Sequence, residues 1–433
     1  MVKQVFAAKT VQGEIAAPSS KAHTLRAIII ASMAKGKSII KNGLIAEDQE
    51  YAIKAMRQLG AKIDYDTNSR TIIVDGFNGS PIAGKEVIFV GNSGLTIRFL
   101  VSILGLAKGE KEIVVDGIER MRTGRPIQDL LDALKPLGVN AISINNNGCP
   151  PIKIITNSFN GGVTELMGDK SSQYFSSILI AAPYAKKDVR IKTIGHLSSK
   201  PYIDVTIASM KEFGVNAENN NYQEFYIKSG QEYTAKEIDI EGDYSNAAYF
   251  FGTCAILGGK VKVTNLKKSS MQGDKIFVNL MEKMGCKVKW ENDFIEFESK
   301  GNEYLKGIGE IDMNDYPDIV MPLAVVASFA NGETKITNIE HLRIKESDRL
   351  SVTVNALKQL GAEVIAGKDF IQIKGKSGKD MHGADISSQN DHRIAMSFTM
   401  AGLKLRNVNI IGEDAVNKSF PEFFTELEKI LKR

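Results

Sequence analysis

Only three cysteines occur in the 433 residues, Cys149, Cys254 and Cys286, widely separated and odd in number. Such a set excludes a disulfide framework and argues against a metal cluster. Histidine is almost as scarce, with five in all and no HExxH or CxxC spacing, so neither a structural nor a catalytic zinc is expected. Apolar stretches such as Ile28 to Met33 fall well short of the roughly 18 residues that span a bilayer. Met1 to Ile15 carries charges and no apolar signal-peptide core. A surplus of either charge sign is also lacking: 55 Lys and Arg stand against 51 Asp and Glu, a net +4. That is too little for a dedicated nucleic-acid binder, so strong basic character must be local, gathered in a pocket. The 43% hydrophobic and 24% charged content excludes disordered and collagen-like chains. At roughly 150 residues per domain, the length suits two or three domains of a soluble, most simply cytoplasmic, protein.

What is present is a repeat. Amphipathic runs end at Gly60, Gly138, Gly214, Gly285 and Gly361, which lie 78, 76, 71 and 76 residues apart. Each glycine can serve as a left-handed helix C-cap. A short β-type run commonly follows it, then a second such as Thr71 to Val74 or Phe294 to Phe297. Upstream in each unit lies a more apolar helix: Leu25 to Ala34, Leu95 to Leu106, Tyr174 to Ala182, Ala247 to Leu257, Ile319 to Phe329 and Arg393 to Leu403. The pattern occurs six times with a truncated last copy, which predicts βαβ-type units in an α/β protein. Six units divide into two lobes of three, expected at 18–239 and at 1–17 plus 240–433. The chain then crosses twice, and the strand Gly13 to Ala17 joins the second lobe. A cleft between lobes is where a ligand site is expected.

Cations recur near the expected helix starts. Lys21 and Arg26 follow Pro18-Ser19-Ser20; Arg120, Arg122 and Arg125 precede a helix near Ile127; Lys170 precedes Ser171-Ser172-Gln173. The glycine loop Gly91-Asn92-Ser93-Gly94 joins a strand to a helix, yet is neither GxGxxG nor a P-loop. The densest cluster is Arg343-Ile344-Lys345-Glu346-Ser347-Asp348-Arg349; read as a helix, it puts Lys345 and Arg349 on one face. Asp391-His392-Arg393 and Lys418 complete the set. Singly, each also makes an ordinary capping segment or solvated face. Gathered in one cleft, Lys21, Arg125, Lys345, Arg349, Arg393 and Lys418 would bind substrates carrying several negative charges, with Asp318 and Glu346 available for proton transfer. The residues alone point to a transferase or lyase acting on anionic metabolites.

Ten stretches, in order along nearly the whole chain, resemble the enolpyruvyl transferases: PSSKAHTLRA from Pro18, GNSGLTIR from Gly91, RMRTGRPI from Arg120, SSQ from Ser171, SKPYID from Ser199, EGDYSNAAYF from Glu241, YPD from Tyr316, RIKESDRL from Arg343, NDHRIAM from Asn390 and KSFP from Lys418. The resemblance implies two lobes, each of three βαβαββ units in an inside-out α/β barrel, with the active site in the interlobe cleft. It also implies a monomer that transfers a carboxyvinyl group from phosphoenolpyruvate to shikimate 3-phosphate. No metal or cofactor, nucleic acid or membrane is implied.

By the same resemblance Lys21, Asp318 and Glu346 carry the proton transfers. Lys21, Ala22, Arg26, Ser171, Ser172, Gln173, Ser199, Tyr202, Asp318, His341 and Lys345 would hold shikimate 3-phosphate. Lys21, Gly94, Arg125, Gln173, Glu346, Arg349, Arg393 and Lys418 would hold phosphoenolpyruvate, with His392 a further candidate. Three positions depart from the family pattern: Ala22 stands for the usual Ser, His341 for Asn and Leu95 for Thr. The first two touch the acceptor side, and the third, beside Gly94, bears on glyphosate sensitivity. A UDP-N-acetylglucosamine transferase fits less well, because Ala22 follows the lysine and no Cys lies between Gly91 and Pro126. Another phosphorylated acceptor, or a non-catalytic metabolite-binding relative, remain the alternatives.

Overall fold

Helices apolar on every side have no face to offer water and must lie inside a layer of other structure. The computed structural model, which describes residues 1–156 and 158–433, bears this out for the upstream helix of each unit. Among the described residues there are six such helices: α1 Lys21–Met33, α2 Gly94–Leu104, α3 Ser172–Ala181, α4 Tyr244–Leu257, α5 Val320–Phe329 and α6 His392–Lys404. In α4 and α5 every side chain is buried. The sheets lie outside them, one per repeat, with a further two-stranded ribbon. This is a two-lobed inside-out α/β fold.

A single plan runs through the sheets. In the third repeat, Gly162–Met167 pairs in parallel with Val189–Ile194, which pairs antiparallel with Glu224–Ile227, itself joined to Glu218–Asn220. The repeating glycines end the amphipathic helices in left-handed backbone, as at Gly60 (φ 105°) and Gly285 (φ 108°), where a Cβ would be strained. The sixth repeat has no terminal hairpin. Instead Val2–Val5 from the start of the chain pairs antiparallel with its strand Val408–Ile411.

The chain forms two compact units, Ser19–Ile240 and Met1–Pro18 with Glu241–Arg433. Each has its own apolar core. The crossings come from two strands that leave their own continuation. Thr10–Ala16 pairs in parallel with Gly259–Thr264, and Glu237–Asp239 pairs in parallel with Lys35–Lys41. Each first strand thus lies in a repeat whose remaining elements are distant in sequence. No helix among the described residues is long and apolar enough to cross a membrane.

One local expectation fails. The segment from Arg343 to Arg349 is not a continuous helix: a 3-10 turn covers Glu340–Ile344, Lys345 is extended, and a helix begins only at Arg349. The cause is Asp348, whose carboxylate accepts from the Ser351 backbone N–H at 3.0 Å and so caps the helix there. Lys345 and Arg349 therefore share no helix face.

Candidate active site

The N-terminal ends of the buried helices collect the polar side chains of both units. Backbone N–H groups unsatisfied at a helix start favour anions there.

In the unit Ser19–Ile240, Ser20 caps α1 by accepting from the His23 N–H at 3.4 Å. The Nζ of Lys21, the first residue of α1, lies 2.6 Å from Asp48 Oδ2, and Gln49 donates to the Lys21 carbonyl. One turn on, Arg26 is 1% exposed. Its Nε donates to Thr206 Oγ1 at 2.8 Å, Nη1 to the Ala22 carbonyl at 3.0 Å and Nη2 to the Tyr202 carbonyl at 3.1 Å. All three acceptors are neutral, so a buried cation stands without a carboxylate on its nitrogens. Burial lowers its pKa to about 10.

Gly94 opens α2, and its lack of a side chain has a specific reason. A Cβ there would fall inside the Arg125 guanidinium. Arg125 is buried and donates to the Asn92 carbonyl at 3.1 Å. Leu95, the departure beside Gly94, is half-buried on the same turn. Arg98, a turn further along α2, donates to Gln173 Oε1 and lies over the Tyr174 ring. Ser171 caps α3 by accepting from the Gln173 N–H at 3.3 Å, with Ser172 buried next to it. Ser199 adopts a left-handed backbone (φ 60°), unusual for a residue with a Cβ, and its buried Oγ has no partner among the described residues. Tyr202 is half-buried on the helix Pro201–Glu212. Two of the sequence candidates are engaged with carboxylates of their own: Arg122 with Asp116 and Lys170 with Asp129.

In the other unit Arg349 is the hub. Its Nε donates to Asp391 Oδ2, Nη1 to Asp318 Oδ1 and Nη2 to Glu346 Oε2, each at 2.8 Å. Asp318, in the 3-10 turn Pro317–Ile319 ahead of α5, also accepts from Arg393 Nη2 at 2.8 Å. Glu346 is 3.5 Å from Lys418 Nζ. Asp391 is wholly buried and caps α6, accepting from the Arg393 N–H at 3.0 Å. Burial alone would raise the Asp318 pKa, but Arg393, Arg349 and Lys345 hold it well below the usual carboxylate range. Burial works against the Arg349 charge too, yet Asp391, Glu346 and Asp318 raise its pKa.

His341 is buried, with no partner among the described residues for its Nε2. Burial, then the charge of Lys345, push its pKa down to about 3, so the imidazole is neutral. His392 is buried at the start of α6, its Nδ1 3.8 Å from Asp391.

Of the sequence candidates, the structure brings Asp318, Glu346, Arg349, Arg393 and Lys418 into one ion-pair network. Arg125 closes on Gly94. Asp48 and Arg98 belong to these constellations and were not singled out from sequence, while Asp391 was named there only with His392 and Arg393, without a role. Arg98 and Asp391 lay inside matching stretches. Asp48 had no signal beyond its place in an acidic first helical turn.

A sequence of this arrangement has relatives. Residues 5–427 match the family described as EPSP synthase (3-phosphoshikimate 1-carboxyvinyltransferase). The chain is 40% identical over 427 residues to the 3-phosphoshikimate 1-carboxyvinyltransferase of Haemophilus ducreyi, covering 98% of this chain and 97% of that one. It is 41% identical over 426 residues to the enzyme of the same name from Histophilus somni, with the same coverages. Among solved structures, EPSP synthase from Acinetobacter baumannii superposes with a TM-score of 0.82 at 25% identity, over 99% of this chain and 98% of that one. With its whole length matched in sequence and in fold, the chain belongs to the EPSP synthase family.

Proposed function

We propose that the protein transfers the carboxyvinyl group of phosphoenolpyruvate to the 5-hydroxyl of shikimate 3-phosphate, releasing phosphate. The observation that carries this reading is the Arg349 hub: two carboxylates suited to proton transfer, Asp318 and Glu346, held by the cations an anionic enol ester requires.

In the proposed reaction Glu346 gives a proton to the methylene carbon of phosphoenolpyruvate, leaving C2 electron-poor. The acceptor oxygen bonds to C2 as its proton passes to Asp318, and Lys21 is assigned a share of the proton transfers. The tetrahedral adduct then loses phosphate, which takes up the proton held by Asp318, as the methyl carbon returns a proton to the Glu346 carboxylate and the double bond is restored. Arg349, Arg393 and Lys418 of one unit, and Gly94, Arg125 and Gln173 of the other, are assigned to the carboxylate and phosphate of phosphoenolpyruvate. Clustered cations also stabilise the charge developing on the leaving phosphate. With both arginines on it Asp318 is a weak base; arriving anions compete for those guanidiniums and restore its basicity.

Arg26, Ser171, Ser172, Gln173, Ser199, Tyr202 and Lys345 hold shikimate 3-phosphate in this reading. Arg26 supports it most directly, because a buried cation bonded only to neutral acceptors gains from a phosphate. Ala22 adds no hydroxyl, and His341 offers a neutral imidazole where the family pattern has an amide. We place the protein in the cytoplasm as a monomer, in keeping with three buried, unpaired thiols. Sedimentation at twice the 47.4 kDa chain mass would refute the monomer.

The test is phosphate release from phosphoenolpyruvate with shikimate 3-phosphate, beside UDP-N-acetylglucosamine and no-acceptor controls. Release that depends on shikimate 3-phosphate is expected. A folded protein that releases phosphate with neither acceptor refutes the assignment.

A further inference from the structure

Within the unit Ser19–Ile240, three helices that carry proposed acceptor ligands meet at one hydroxyl. Thr206 lies on the helix Pro201–Glu212, one turn after Tyr202, and is fully buried. Its Oγ1 donates to the Tyr202 carbonyl at 2.9 Å and accepts from Arg26 Nε, on α1, at 2.8 Å. Ser176 Oγ, on α3 one turn after Ser172, is 2.8 Å away. A hydroxyl has one proton to give and two lone pairs to receive with. With the Thr206 proton on the Tyr202 carbonyl, Ser176 is the donor in the third bond and the Thr206 oxygen is saturated.

Arg26 is oriented by few groups. Its guanidinium carbon lies over the Phe99 ring, 5.6 Å from the centroid. Two of its three acceptors are backbone carbonyls, Ala22 and Tyr202, whose places follow from the course of their helices. Thr206 is the one side chain among the three, and it also holds the Tyr202 carbonyl. These bonds take three of the five guanidinium N–H groups and leave two for an anion. Removing the Thr206 oxygen would strand a cationic N–H in the interior, where a lost partner is costly.

We propose that Thr206 is a positioning residue for shikimate 3-phosphate: its hydroxyl sets the orientation of the Arg26 guanidinium and ties α1 to the helix that carries Ser172. The proposal rests on the reading that Arg26 holds shikimate 3-phosphate. Thr206 acts through Arg26 and has no part in the proton transfers. Its loss therefore falls on the KM for shikimate 3-phosphate and spares both kcat and the KM for phosphoenolpyruvate.

The test compares Thr206→Val, which keeps the shape and loses the hydroxyl, with Thr206→Ser, which keeps the hydroxyl and loses a methyl. Each KM is measured with the other substrate saturating. In Thr206→Val the KM for shikimate 3-phosphate rises about tenfold or more, the scale of a hydrogen bond to a charged group, while kcat and the KM for phosphoenolpyruvate stay within about twofold. In Thr206→Ser, where the oxygen still accepts from Arg26, all three stay within about threefold of the unaltered protein. Loss of packing alone would rank the variants the other way, because serine is the smaller residue. An unchanged KM for shikimate 3-phosphate in Thr206→Val overturns the proposal, as does an equal rise in both KM values or a rise in Thr206→Ser as large as in Thr206→Val. Should Thr206→Val not fold, Thr206→Cys, whose sulfur is a weak acceptor, decides by the same comparison. Absence of turnover with shikimate 3-phosphate in the unaltered protein would instead overturn the transfer reading.

Discussion

Replacing Asp391 by Asn isolates the contribution of one buried charge. Asp391 is fully enclosed and does two jobs: its Oδ1 caps α6 at 3.0 Å, and its carboxylate receives Arg349 Nε at 2.8 Å and Nη2 at 3.3 Å. Ser347 Oγ donates to it as well, at 3.1 Å. Asparagine keeps an oxygen for the cap but loses the charge, and its amide turns a donor toward donors. Removing one partner of a buried pair costs about 3–5 kcal/mol when the other is stranded. Arg349 is not stranded, because Asp318 and Glu346 remain on it. The expected loss is therefore smaller, about 2–3 kcal/mol, the scale of a charge-assisted hydrogen bond. For a unit of roughly 200 residues that lowers Tm by about 4–12 °C. Asp391→Ala, which also deletes the cap, should cost about 1 kcal/mol more. Scanning calorimetry on the two variants separates charge from cap. An Asn variant within about 1 °C of the unaltered protein refutes the view that this carboxylate holds Arg349.

Gly94→Ala pushes a methyl into the Arg125 guanidinium, an overpacking worth about 1–3 kcal/mol; Tm should fall by about 2–12 °C, and KM for phosphoenolpyruvate should rise roughly tenfold in steady-state assays. Arg26→Lys cannot reproduce three donated bonds in a fixed fork, so KM for shikimate 3-phosphate should rise by about 10–100-fold while that for phosphoenolpyruvate moves less. Asp48→Asn releases Lys21 from its 2.6 Å ion pair, and kcat should fall about tenfold or more with smaller changes in KM. For His341 the sign of the pH effect follows from a folded pKa of about 3 against an unfolded value near 6.5. The unfolded chain binds the extra proton, so this residue's contribution is intact above about pH 6.5 and is lost as the pH falls toward 3. His341→Asn should therefore narrow the drop in Tm between pH 7.5 and pH 5.0, and an unchanged drop would refute a buried neutral imidazole.

The repeat was legible because each copy obeys the same local constraint. A helix that must end and reverse needs left-handed backbone, glycine supplies it, and Gly60 to Gly361 marked five such ends. The inner helices were legible from composition, since a helix apolar all round can only be interior. Cations at helix starts were visible too, but their partners were not. Asp48 reads as one more acid in a polar helix until the fold sets it against Lys21. Asp391 and Asp318 lie 42 and 31 residues from Arg349, and no periodicity connects them. The Arg343 to Arg349 segment misled because its charge spacing fits a helix, whereas the Asp348 cap starts that helix only at Arg349.

The strand Thr10–Ala16 finds its partner Gly259–Thr264 only after the intervening unit has been synthesised. Ser19–Ile240, by contrast, is continuous and can close as soon as Ile240 is available. Its completion does more than finish one core. A loop of some 240 flexible residues would carry a large closure entropy, whereas a folded insert takes up that slack and returns the chain to where it departed. The seam left behind is local, with the Asp243 N–H donating to the Pro18 carbonyl at 2.8 Å. Assembly on the ribosome therefore has a direction: the middle of the chain matures first, while the opening strands wait for Thr264 and then Ile411 to complete their sheets.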